Sequence, residues 1–403
     1  MLALLNLYKL SFSNLQRNIW VLALAMFVNR SGSMVLLFTS LYMTNELHFS
    51  IGDAGVVMSL YGIGSVMGSY AGGWLTDRYS YFYIMITSLV TSGLILLAML
   101  FSTSIWSIAA VIFFYAFAAD IFRPANSKAI AIYSDIKNRT RSVSLVRLAV
   151  NLGFTVGPAV GGFVALYLGY KWLFIIDSLT TIGAALLLYF YLPRKNSISV
   201  AENPEILKDK KTSAYRDLMY LVFVFFVAMY GTCFFQIFAS IPQYFSKVCH
   251  YNEATIGLLL ALNGFLVVLI EMPLMLKLEH KKLIFPFIRL GALMLPVSFL
   301  ILIFGQSMMI WSILYTVIIT FSEILAMPFM MNFALSRPRV ERQGQYSALY
   351  SISFGLSNIA APLIGLGLAN KFGFNMMFYA LIIMSILTFI GFSVLGKSEL
   401  KQV

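Results

Sequence analysis

The chain has 403 residues, of which 60% are hydrophobic and only 11% charged, and its mean hydropathy is +0.86. No soluble globular domain of this length carries such a surface in water, so lipid is the expected solvent. The formal net charge of +12 raises the question of nucleic acid, but the placement of the charges, described below, points to a membrane and not to nucleic acid.

Twelve apolar stretches, each about long enough to cross a bilayer, follow one another along the chain. They are placed at residues 19–44, 52–76, 82–101, 105–133, 142–168, 172–192, 218–245, 256–276, 284–304, 310–335, 347–368 and 376–395. Backbone groups in hydrocarbon must bond within the protein, and the hydropathy is continuous, which excludes the alternating pattern of an outer-membrane barrel. The expected fold class is an all-α membrane protein with about twelve transmembrane helices in two pseudo-symmetric six-helix bundles. Residues 1–193 form the first bundle, and residues 217–403 the second. The one long polar stretch, 194–216, with Pro204 and mixed charge, reads as the cytoplasmic linker between them.

The halves repeat. Pro158 and Pro362, Gly161 and Gly365, Gly169 and Gly373, and Phe174 and Phe378 are all 204 positions apart. Tyr42 and Tyr244, His48 and His250, Gly55 and Gly257, and Gly62 and Gly264 are 202 apart. Two like-oriented bundles of this kind are the plan of a transporter whose halves move around a central site. With the N-terminus inside, most Lys and Arg fall on the cytoplasmic side, three fall outside (Lys171, Lys247, Lys371) and the rest lie within spans. That is the positive-inside bias, and it predicts a multi-pass protein of the cytoplasmic (inner) membrane with both termini cytoplasmic. The first apolar stretch leads straight into another span without a small-residue cleavage site, so no removable leader is expected. Cys233 and Cys249 make no zinc or redox motif, and His48, His250 and His280 form no ligand cluster. No metal, cofactor or enzymatic role is expected.

Several motifs carry a family resemblance. Gly73-Trp74-Leu75-Thr76-Asp77-Arg78, after the second span, resembles the loop between the second and third helices that marks the major facilitator superfamily. Gly153, Gly157-Pro158 and Gly161-Gly162 in the fifth span are similar to the antiporter motif of that superfamily's drug and metabolite exporters. Phe122-Arg123-Pro124-Ala125, Asn29-Arg30 and Ser322-Glu323-Ile324 with Pro328 also resemble features of its proton-coupled exporter branch. The chain departs from the pattern after Arg78, where Tyr79-Ser80-Tyr81-Phe82-Tyr83 replaces a Gly and several basic residues. A gate built there is weaker in charge. The second half keeps a trace of the loop in Glu279-His280-Lys281-Lys282.

Each motif has a physical reading. Asp77, with Gly73 and Arg78, sits where a helix leaves the membrane, and its carboxylate can face the start of the eleventh helix near Gln343 and Gly344, locking an inner gate. Gly64, Gly68 and Gly72, like Gly153, Gly157 and Gly161, recur every four residues and let helix backbones approach closely, while Pro158 bends its helix. Arg147 and Arg289 lie about two turns from the cytoplasmic face, and Asp177 as close to the outside, so all three are expected to reach water. Glu271 is a weaker candidate toward the cytoplasm.

Arg30, Asp120, Arg123 and Glu323 fall near mid-span. Two acids, one from each half, are expected to approach a central cavity, where Glu323 and Asp120 exchange protons or hold a cationic substrate. For Asp120, three residues from Arg123, a static ion pair is the equal alternative. Asn29, Arg30, Arg123, Gln236 and Asn263 are the expected polar lining of a substrate cavity. The function expected is a monomeric, proton-coupled exporter of small amphipathic molecules, working by alternating access. The alternatives are an importer of a small anionic metabolite, bound by Arg30 and Arg123, and a non-transporting sensor on the same fold.

Overall fold

The computed structural model describes residues 15–134, 139–194, 214–278, 284–305, 308–337 and 343–400. Among these there is no strand. The helices are α1 (Arg17–Gly32), α2 (Val35–Leu41, continued by a π-helical turn, Tyr42–Glu46), α3 (Ile51–Arg78), α4 (Tyr81–Leu97), α5 (Ile105–Tyr133), α6 (Arg139–Tyr167) and α7 (Tyr170–Tyr191). Then come α8 (Leu218–Phe234), α9 (Ile241–Lys247), α10 (Glu253–Leu278), α11 (Ile284–Gly305), α12 (Met309–Ser336) and α13 (Gln343–Leu400). Most of the expected linker and the residues 279–282 that echo the signature loop lie outside the described residues.

Among the described residues, eleven helical stretches are long and apolar enough to span a membrane. The last, Ala348–Lys397, is two spans run together, because α13 turns at Gly373 (φ 82°) without leaving helical hydrogen bonding on either side. Twelve spans result. The first and seventh spans are not the continuous helices that their hydropathy suggested. The first breaks between α1 and α2 at residues 33–34, and the seventh between α8 and α9, through a 3-10 turn at Phe235–Ile237. Just before the first break, a Cβ on Gly32 would overlap the side chain of Thr180, so α1 passes α7 there only as glycine.

The repeat is legible in the backbone. The four described residues with positive φ are His48 (59°), His250 (56°), Gly169 (91°) and Gly373 (82°), two pairs at the repeat spacings of 202 and 204. The turns around the histidines match as well. Phe49 N donates to Met43 O, and Tyr251 N to Phe245 O, both at 2.9 Å. Each next helix is then capped: Asp53 N bonds Ser50 Oγ at 3.0 Å, and Thr255 N bonds Asn252 Oδ1 at 2.9 Å.

The chain divides into two compact units. One is formed by Met1–Phe38 and Ile63–Ser199, the other by Thr39–Gly62 and Val200–Val403. The division does not follow the sequential halves, because residues 39–62 pack with the second. Positions for a Cβ on Gly55 lie 3.0 Å from Leu366 Cβ and from Pro362 O, and on Gly62 2.8 Å from Ile359 Cγ1.

In the first unit, α7 shows how lipid orders a helix. Phe174, Asp177, Ser178, Thr181, Ala184 and Leu188 recur at helical spacing and are buried, while Leu179, Leu186 and Phe190 are exposed on the other face. Polar groups turn inward and apolar ones outward. The core joins Ile19, Leu22 and Met26 of α1 to Phe82, Met85 and Leu89 of α4, Ala125 and Ala129 of α5, and Ala184 and Leu188 of α7. Tyr81 donates to Tyr133 at 2.9 Å, and Tyr133 to the carbonyl of Pro193. The second unit packs through aromatic rings. Tyr244 meets Phe378 edge-on at 5.0 Å, and Phe223 lies 4.6 Å from Phe333.

The α3 glycine stripe lies directly on α5. A Cβ on Gly64 or Gly68 would overlap the carbonyl oxygen of Phe113 or Phe117, and one on Gly72 would sit 2.6 Å from that of Ile121. Gly73, one residue on, faces open space. Gly68→Ala is therefore expected to lower the stability of the detergent-solubilised protein by about 1–3 kcal/mol, because a backbone carbonyl cannot move aside as a side chain can. Gly73→Ala should leave it unchanged or raise it by up to ~1 kcal/mol through helix propensity. Paired thermal unfolding curves test this, and equal losses in the two variants would mean that the contact with α5 does not set the spacing.

Candidate functional site

Three polar centres stand inside the helices. The first is on α5. Asp120, 3% exposed, accepts a 2.6 Å charge-assisted bond from Arg123 Nε, one turn further along the same helix, and a short one from the hydroxyl of Ser65 on α3. Arg123 itself is more than half exposed. Pro124 has no N–H for the carbonyl of Asp120, so the ion pair sits where the helix ladder is also interrupted. Of the two readings of Asp120, the structure contains the ion pair. Near the end of α3, Lys128 of α5 donates to the carbonyl of Thr76 at 2.7 Å, satisfying one of the last carbonyls of the helix. Arg78 stacks over Trp74 at 4.0 Å. The side chains of Asp77 and Gln343, on which the gate reading falls, lie outside the described residues.

The second centre surrounds the break in the first span. The glycines of the antiporter-type motif form its seat: a Cβ on Gly153 would lie 3.0 Å from the backbone of Arg30 and Ser31, one on Gly157 3.1 Å from Arg30 O, and one on Gly161 3.0 Å from Met34 Cγ. Pro158 stands inside the same α6 segment. Arg30 lies 5.5 Å from the Phe154 ring centre, and its Nε is buried with no hydrogen-bond partner. Asn29 Nδ2 donates to Thr181 Oγ1 at 3.2 Å, and Thr181 Oγ1 in turn to Asp177 Oδ1 at 3.3 Å. Asp177 corrects the expectation that it reaches the outer water, for it is fully buried at 0% exposure. Counting turns from the span end misplaced it, because burial depends on which face of the helix turns inward. The signal that was present is the run Asp177, Ser178, Thr181, which puts three polar groups on one helical face.

The third centre is on α12 and α10. The amide of Asn263 donates to Glu323 Oε2 at 3.1 Å and to Thr320 Oγ1 at 3.0 Å, so two residues that the sequence suggested separately form one cluster. Beside Glu323, the hydroxyls of Tyr230 and Ser322 are 2.9 Å apart, and Ser322 bonds Gly291 O at 2.7 Å. Gln236 is different. It is completely buried, donates to the carbonyls of Thr232 and Ala361 at 3.1 and 3.0 Å, and accepts from Ser240 at 2.6 Å. It is a strut between α8 and α13, pressed against Gly365, and not a residue turned to a cavity.

Two further clusters were not singled out in the sequence. Lys247 Nζ donates to Asn45 Oδ1 at 2.9 Å, and Gln243 Nε2 to Thr44 Oγ1 at 2.9 Å, binding the C-terminal end of the first span to α9. The other centres on Asp217, the N-cap of α8. Arg337 grips its carboxylate with Nε at 2.7 Å and Nη2 at 2.9 Å, the hydroxyl of Tyr346 donates at 3.0 Å, and the backbone of Tyr220 at 3.1 Å. By sequence Arg337 reads only as one of the basic residues between the tenth and eleventh spans. Burial pushes the Asp217 carboxyl up, but the bonds from Arg337 and from the Tyr220 backbone outweigh it and hold it below the ordinary carboxylate range. Burial and the hydrogen bond to Asp217 push the Tyr346 hydroxyl up to about 12.

Since Asp217 is lowered in the folded protein, its contribution is complete above the ordinary Asp value of about 4 and is lost as pH falls through the folded value. Asp217→Asn is expected to lower stability at neutral pH by about 1–3 kcal/mol, the range for a charge-assisted bond. The gap from wild type should close below pH ~4. Melting curves at a series of pH values check it; a gap independent of pH would show that the charge contributes nothing.

The family model for the Major Facilitator Superfamily matches residues 22–362. Among characterised relatives, the Na(+), Li(+), K(+)/H(+) antiporter of Planococcus maritimus is 25% identical over 88% of this chain and 90% of its own. Multidrug resistance protein 2 of Bacillus subtilis (strain 168) is 24% identical over 79% of this chain and 80% of its own. Among solved structures, a POT family transporter in complex with 5-aminolevulinic acid aligns with a TM-score of 0.81 at 14% identity, over 96% of this chain and 97% of the other, a likeness of fold. Twelve spans, a backbone repeat and a family match over most of the length agree: the chain belongs to the Major Facilitator Superfamily and is a multi-pass membrane transporter.

Proposed function

We propose that this transporter is a proton-coupled exporter of small amphipathic molecules, acting as a monomer in the cytoplasmic membrane with both termini inside. The observation that carries the reading is the Glu323–Asn263 cluster: an acid at mid-span in α12, half-buried, whose carboxylate is oriented by an amide on a neighbouring helix. An intramembrane acid costs several kcal/mol to keep charged, so it persists where gaining and losing a proton is its work. Similarity to a cation/H(+) antiporter and to a multidrug resistance protein supports both the coupling and the outward direction.

In this reading Glu323 binds a proton from outside and releases it inside in exchange for substrate, Asn263 holds its carboxylate in one rotamer, and Asn29, Arg30 and Arg123 contribute polar contacts for substrate. The Asp120–Arg123 pair keeps the guanidinium in place. The Gly153–Gly161 seat lets the broken first span slide without opening a leak.

Glu323→Gln is expected to abolish pH-gradient-driven movement of labelled compounds in proteoliposomes, while expression, insertion and thermal stability change little. Asn263→Ala should lower the rate without removing the coupling. A Gln variant with wild-type pH dependence would sink the assignment, and a panel of cationic, neutral and acidic compounds in the same vesicles separates export of amphipathic molecules from uptake of an anion.

A further inference from the structure

Asp177 is the one described intramembrane acid with no water contact at all, and the reading above makes no use of it. Its surroundings are specific. One oxygen, Oδ2, faces the backbone N–H of Val35 at 3.4 Å, the first residue of α2 beyond the break; the other, Oδ1, accepts from Thr181 at 3.3 Å. Both bonds are long for a carboxylate, whose charge-assisted bonds close to below 3 Å. Arg30, at the other edge of the break, is near enough to act on Asp177 electrostatically but forms no ion pair with it among the described residues, and its Nε is left unpartnered in the interior. A buried acid and a half-buried base thus stand at an interruption of the backbone without meeting.

We propose that Asp177 is a proton-binding residue of the transport cycle, whose protonation state decides whether the two pieces of the first span are clamped together. As a carboxylate it attracts the amides at the start of α2 and the Arg30 guanidinium at the end of α1, drawing both pieces onto α7. When it takes up a proton, giving a neutral carboxyl, both attractions weaken and the break at residues 33–34 is free to bend. Loss of the proton to water restores the clamp. The inference rests on the proton-coupled reading for its place in the cycle, but concerns a different acid in a different unit from Glu323.

The titratable groups on the helices packed against α7 leave Arg30 as the partner. From α1 they are Arg17 and Arg30. The α4 segment holds no Asp, Glu, Lys, Arg or His, and its tyrosines, Tyr81 and Tyr83, are in its first turn. On α6 the charged residues, Arg139, Arg141 and Arg147, lie within its first nine positions, and Tyr167 is its last residue. On α7 itself Tyr170 and Lys171 begin the helix, and Tyr189 and Tyr191 end it.

The test follows the break directly, without a substrate, in the full-length protein in lipid nanodiscs. Hydrogen exchange of residues 29–41, corrected for the intrinsic effect of pH, is expected to be protected at alkaline pH. It should rise as pH falls by roughly tenfold for each unit across the titration, as one titrating group dictates. Asp177→Asn should exchange at the acidic rate at every pH, and Asp177→Glu should keep a step. A step that persists in the Asn variant, or its absence from wild type, overturns the proposal.

If the Asn variant is not recovered folded, infrared difference spectra between acid and alkaline protein with carbon-13-labelled aspartate decide instead. An Asp carboxyl band that disappears in Asp177→Glu supports the proposal, and one that remains refutes it. Absence of pH-gradient-driven transport in wild type would defeat the proton-coupled exporter, while a persistent exchange step in Asp177→Asn would defeat only the clamp.

Discussion

Helices in lipid have no hydrophobic reason to associate, so the contact that organises this protein is the close approach of one backbone to another. Glycines at 64, 68 and 72 lie against the carbonyls of α5, those at 153 and 157 against the turn at Arg30, and Gly291 against the carbonyl of Ser322, 2.8 Å from where its Cβ would be. The α3–α5 and α11–α12 contacts bring helices near enough for polar side chains to reach across, Ser65 to Asp120 and Ser322 to the Gly291 carbonyl, and Gly32 packed on Thr180 does the same for Asn29 and Thr181. The polar centres are therefore a product of small residues elsewhere. Replacing a glycine in one of these stripes would disturb a charged group a helix away.

The same constraint explains where charge is tolerated. Backbone groups in hydrocarbon must be satisfied within the protein, and the break in the first span leaves some that helical bonding no longer uses. Ser33 N turns back to Arg30 O at 3.2 Å and Met34 N to Gly32 O, while Val35 N looks to Asp177. An acid that would be unfavourable beside a regular helix thus has a donor waiting for it. At the membrane boundary, where water competes, the protein instead uses the bidentate grip of Arg337 on Asp217, which needs no break.

Much of this was legible in the residues. Hydropathy located all twelve spans, because lipid selects composition over a length set by bilayer thickness, and the repeat was visible because four positions with unusual backbone angles recur in step. What remained hidden depends on which face of a helix turns inward. Depth along the span placed Asp177 near water, but burial is decided by rotation about the helix axis, and Ser178 and Thr181 turn its face inward. Gln236 looked like a cavity residue for the same reason. Local breaks were hidden too: Gly32, the last residue of α1, is packed on Thr180, about 150 positions away in the sequence. The Asp217–Arg337 pair spans 120 residues and no spacing rule connects them.

The turns at Gly169 and Gly373 carry a mechanical consequence. Two residues separate α6 from α7, and the corresponding pair of spans in α13 meets at a single glycine. With consecutive Cα atoms about 3.8 Å apart, the linked helix ends cannot separate by more than ~11 Å. Each pair is thus a pair of tongs closed at one tip: its members can splay or twist only at the opposite tip, on the far side of the bilayer. The motion available to such helices is angular, with its fulcrum fixed at the glycine, and displacement grows toward the unlinked ends in proportion to distance along the helix.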